Sequence, residues 1–114
     1  MADEISLDGR TLVAVANDGG EVNEETQFAF AQDENRIRAH YSGGDIVDGY
    51  LVGTFEDAQL DIRYVQINTR AETATGHSVG DVELLDDNRV RIEDEWEWES
   101  KDETGESILE EISQ

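Results

Sequence analysis

From Arg89 to Glu99 (RVRIEDEWEWE) the chain alternates residue by residue. Val90, Ile92, Asp94, Trp96 and Trp98 fall on one side, and Arg89, Arg91, Glu93, Glu95, Glu97 and Glu99 on the other. A period of two is the mark of a half-buried strand, because successive side chains of an extended backbone point to opposite faces. The same period recurs along the whole chain, and that recurrence is the strongest constraint on its fold. Arg10–Ala16 and Thr26–Gln32 read as strands, the second with Phe28 and Phe30 on one face. Arg36–Tyr41 places Ile37, Ala39 and Tyr41 opposite Arg36, Arg38 and His40. Ile46–Phe55 is longer and carries Gly49 and Gly53, which read as bulges or sharp bends. Leu60–Asn68 puts Leu60, Ile62, Tyr64 and Gln66 together. Glu72–Leu84 is rich in Thr, Ala and Gly and reads as two short strands broken near Gly80. Glu106–Ile112 fits either a last strand or one short helix.

Turn signals separate these runs: Asn17–Gly20, Asp33–Asn35, Ser42–Asp45 and Leu85–Asn88. About eight short strands joined by short turns predict an all-β fold. We expect a single antiparallel β-barrel domain over residues 1–114, up-and-down in topology and of the lipocalin or calycin kind. Closure removes the exposed edges of a meander, and eight strands enclose a space that side chains fill or that holds one small ligand.

Composition sharpens this reading. The chain has 29 acidic and 8 basic residues, a net charge of −21, with no cysteine and no proline. Zero cysteines exclude disulfides, thiolate metal sites and cysteine nucleophiles. The charge argues against nucleic acid and anionic membranes as partners, since both need a cationic surface. Such a composition approaches that of disordered chains, but Leu, Ile, Val and Phe make 27 of 114 residues and are ordered into alternating runs. Like charges at this density repel in dilute salt and are screened at molar salt. We therefore expect a halophilic, archaeal protein. The acidic, non-apolar start Met1–Glu4 predicts a cytoplasmic one, and the charge favours a monomer.

Chemistry-bearing residues are few. Asp94, Trp96 and Trp98 share one strand face, and Tyr64, Gln66 and Tyr41 lie on inward faces of their own strands. Together they are the candidate ligand-binding set, with Tyr50 as a further hydroxyl. The indoles equally suit a packed core, in which Asp94 would pair with an inward Arg such as Arg63. A carboxylate among indoles has a raised pKa unless paired. Glu72 and His77, five residues apart, fall on opposite faces of one strand. Two histidines and no D-x-D-x-D-G loop offer no metal site, and neither a catalytic residue nor a cofactor is assigned. The first functional expectation is a barrel that binds a small, partly apolar molecule without catalysis. The alternatives are a filled barrel with a structural or interaction role, and a small enzyme using Asp94 or Glu72 as acid or base.

Gly20–Asn23 (GEVN), Tyr41–Ile46 (YSGGDI), Gly49–Gly53 (GYLVG), Arg63–Asn68 (RYVQIN), Arg89–Ser100 and Ser107–Ile112 (SILEEI) carry a resemblance across nearly the whole chain. The sequence resembles a family of small bacterial and archaeal proteins whose members often carry the label N-acetylglutamate synthase. The resemblance implies a shared fold and little chemistry. An acetyl-CoA-dependent synthase needs a device for pyrophosphate, commonly a glycine-rich loop at a helix N-terminus. Here Gly43-Gly44 is followed by Asp45 and no helix.

Overall fold

The structure, a computed structural model, describes residues 5–17, 22–99 and 103–112. The period-two runs form eight strands: β1 (Thr11–Asn17), β2 (Gln27–Asp33), β3 (Arg36–Gly43), β4 (Ile46–Glu56), β5 (Gln59–Asn68), β6 (Thr73–Leu84), β7 (Val90–Trp98) and β8 (Thr104–Glu111). Each pairs antiparallel with its sequence neighbours, and β8 pairs back onto β1, so the meander closes into a barrel. No described residue is helical. Of the turn expected at Asn17–Gly20, residues 18–20 lie outside the described residues, as do residues 21 and 100 of the motifs above.

Two expectations are corrected, and one left open is decided. Thr73–Leu84 is one continuous strand, with Gly80 in regular register between Leu60 of β5 and Asp94 of β7. Gly80 marks a close approach rather than a break, because a Cβ there would lie 2.7 Å from the Asp94 Cβ. The C-terminal segment is a strand, since only an extended chain turns Ser107 and Leu109 inward while pairing with both β7 and β1. Gly49 is no bulge either: it pairs regularly with Tyr41, whose ring lies across it, and an added Cβ would meet that ring at 2.3 Å. Gly53 is also regularly paired, with Ile37 and Ile62. The irregularity in β4 falls between Ile46 and Asp48 instead.

The barrel has two unlike halves. The lower half, where β1 begins, is packed solid by Leu12, Phe30, Ile37, Phe55, Leu60, Val90 and Ile92. Leu7 plugs this end and is fully buried. Its segment is tied down by backbone bonds from Gly9 N to Phe30 O (3.0 Å) and from Phe30 N to Arg10 O (2.9 Å). The Leu7 amide also donates to Gln32 Oε1 at 2.8 Å. In the upper half Trp96, Trp98 and Ala74 form a separate cluster, joined to the main core through Tyr64.

Candidate functional site

The upper half encloses a cavity of about 60 Å³. Parity explains its walls. β7 turns Asp94, Trp96 and Trp98 inward, β5 contributes Tyr64 and Gln66, and β3 contributes Tyr41. All six candidate residues thus line one space, although they come from three strands far apart in sequence. Trp96 and Trp98 are buried, with ring centroids 5.7 Å apart at 59°. The Tyr64 ring meets Trp98 edge-on at 5.7 Å and 71°. Such tilted arrangements are the favourable ones for aromatic pairs.

Polar atoms within these walls are placed by hydrogen bonds. Tyr41 Oη donates to Gln66 Oε1 at 2.9 Å, and Trp96 Nε1 donates to Asn17 Oδ1 at 3.2 Å. The Ser107 hydroxyl donates to Asp94 Oδ1. Burial holds the Asp94 carboxyl above its ordinary range, and the Ser107 and Ser78 hydroxyls act in the opposite direction. Burial also pushes the Tyr64 hydroxyl far above its ordinary value, reinforced by the nearby charges of Asp94, Glu97 and Glu99. Tyr64 is therefore a neutral donor at any working pH.

Several expected partners lie elsewhere. Arg63 does not pair with Asp94. It sits between inward Ile62 and Tyr64, so the pleat turns it outward, where it pairs with Glu99. Tyr50 is exposed on the outer wall, its ring 4.9 Å from that of His40. His40 and His77 face outward against Asp48 (3.1 Å) and Asp61 (2.6 Å). Glu72 belongs to the exposed β5–β6 loop, where its carboxylate accepts from Asn68 Nδ2 at 3.0 Å and Arg70 Nε at 3.2 Å. It is not part of the cavity wall. Among the described residues no cluster of His, Asp or Glu is arranged to hold a metal.

The sequence reading missed Asn17, Ser78 and Ser107, all of which line the cavity. The signal for the serines was present. Ser78 is two positions from Gly80 and Ser107 two from Leu109, so parity turns both inward once β6 and β8 are strands.

A comparison with protein families matches residues 5–112 to the family described as avidin-like protein. No curated protein and no solved structure matches the chain. The match overturns the resemblance to the proteins labelled N-acetylglutamate synthase, because a different family accounts for nearly the whole length. It agrees with the closed eight-stranded antiparallel barrel, a calycin-type fold. The chain belongs to the avidin-like protein family.

Proposed function

We propose that this protein binds a small, partly apolar molecule in the upper half of its barrel and performs no chemistry on it. The carrying observation is the contrast between the halves. The lower half is filled by aliphatic side chains with Phe30 and Phe55, whereas the upper half keeps a largely apolar cavity whose lining includes Asp94, Ser78 and Gln66. A predominantly apolar pocket with a few converging polar groups is the usual form of a small-molecule site. Membership of an avidin-like family supports the same reading. We further propose that the −21 charge suits a cytoplasm of high salt, where the barrel remains soluble and monomeric.

The test is to purify the protein in molar potassium chloride, denature it and analyse the extract by mass spectrometry. A compound released in near-stoichiometric amount, whose return alters Trp96 and Trp98 emission, supports the reading. An empty extract, with indole resonances that no small-molecule library shifts, means a barrel with a structural or interaction role.

A further inference from the structure

Asp94 is a charge without a counter-charge. Its carboxylate accepts from the Ser107 hydroxyl and has the Ser78 hydroxyl beside it, and no described Arg, Lys or His pairs with it. Among the described residues no cation lines the cavity. The Ser78 hydroxyl, on the adjacent strand and only 3% exposed, makes no hydrogen bond of ordinary geometry to any described protein atom. A buried carboxylate without a counter-charge, beside a hydroxyl that is not fully bonded, is costly unless something completes it. The surrounding walls include the aromatic rings of Trp96, Trp98 and Tyr64. Aromatic faces attract cations, most strongly where water is excluded.

The approach to the cavity has the same sign. The loops at the upper end carry Glu24, Asp45, Glu72, Glu99 and Glu103. The neighbouring described bases, Arg63 and Arg70, are already engaged with Glu99 and Glu72. An anion entering from this end meets repulsion, and a cation is drawn in.

We propose that the ligand is a small organic cation, an ammonium group on a compact apolar body, taken up between Asp94 and the Trp96–Trp98–Tyr64 walls; this rests on the binding reading above. The ammonium replaces the missing counter-charge, and its apolar substituents lie against the indoles. A ligand with an N–H or O–H also gives Ser78 a partner. A bare inorganic cation leaves the aromatic walls unused and pays a larger dehydration cost.

Two probes of similar size separate charge from bulk: tetramethylammonium chloride and tert-butanol. Each is titrated into the protein in molar potassium chloride while the indole Nε1–H resonances of Trp96 and Trp98 are followed by NMR. The expected result is saturable binding of tetramethylammonium, about ten-fold or more tighter than tert-butanol. Asp94→Asn should remove that preference and leave tert-butanol binding unchanged. The unaltered protein supplies a second measurement that does not depend on how the variant folds. Tetramethylammonium affinity should rise with pH as Asp94 ionises, and tert-butanol affinity should stay flat. Around the cavity Asp94 is joined by Tyr64 from β5, Ser78 from β6, Ser107 from β8 and Trp96 from its own strand, with Tyr64 protonated throughout, and it also borders an outer groove that carries Asp61, Asp81, Glu93, Glu95 and Glu106. Equal or tighter tert-butanol binding, or a preference that survives Asp94→Asn, overturns the cation and leaves the binding barrel standing. Silence to both probes overturns the cation, and an empty denatured extract would then remove the binding reading as well.

Discussion

Asp94 is the residue at which stability and site chemistry conflict. Its folded-state pKa lies above that of the unfolded chain, mainly through burial. Between those two values the folded protein binds the extra proton, so stability falls as pH rises through the interval. Above the folded pKa the penalty is complete, and below the unfolded value it is absent. Asp94→Asn keeps the shape and removes the charge. We expect the variant to be more stable than the parent at neutral pH, with the gap closing as pH falls towards about 4 and absent below it. Denaturant midpoints at a series of pH values measure that difference, and the charge effects shared by both proteins cancel in it. A gap independent of pH would mean that Asp94 is not desolvated in the fold. The inward side of this residue was legible from the alternation of β7, because parity is a local property of the backbone. Its partner was not. Pairing with Ser107 rather than Arg63 depends on which strand lies beside β7, and no local pattern encodes that.

At the scale of elements, the lower plug matters most. Leu7 precedes β1, belongs to no strand and is nonetheless fully buried. Leu7→Ala should cost about 2–5 kcal/mol, seen as a lower denaturant midpoint at constant slope. A loss below about 0.5 kcal/mol would show that the plug is dispensable. Strand pairing is also uneven. β1 meets β2 over three residue pairs, Thr11–Val13 with Gln27–Ala29, whereas β4 and β5 pair over ten. Beyond Val13, the ladder pairing of β1 among the described residues is with β8, and it shifts register between Ala14 and Ala16. Six strands were readable from sequence to within a residue or two, since clean alternation and turn residues mark them. β6 and β8 were not. Thr, Ala and Gly soften the contrast in β6. In β8 the run Ser107–Ile112 fits a helical as well as an extended period. Pairing with flanking strands decided both, and those contacts are non-local.

At the scale of the whole molecule, charge dominates. The register sets acids directly opposite one another on the outer wall, Glu95 across from Glu106 and Asp81 across from Glu93. Like charges in such pairs are destabilising. Arg91 offsets part of this by reaching Glu83, Glu93 and Glu110. Most of the −21 charge remains, and salt would screen it. We expect the melting temperature to rise steeply from dilute buffer to molar potassium chloride, with the far-ultraviolet circular dichroism of a β-rich fold developing in parallel. A β-rich spectrum and a melting temperature unchanged across that range would refute the adaptation to salt.

The sequence by itself determined that the chain is all-β, how its strands alternate and which side chains share a face, because each of these follows from the two-residue period and the intervening turns. It also determined the surface charge, which needs only counting. The tertiary structure alone decided that β8 closes onto β1, that the lower half is filled while the upper half keeps a cavity, and that Asp94 has serine hydroxyls and, among the described residues, no cation beside it. Those features depend on residues brought together across the barrel from as far apart as Asn17 and Trp96, and on the space left between them. No pattern along the chain carries that information, since packing acts between strands and periodicity acts within them.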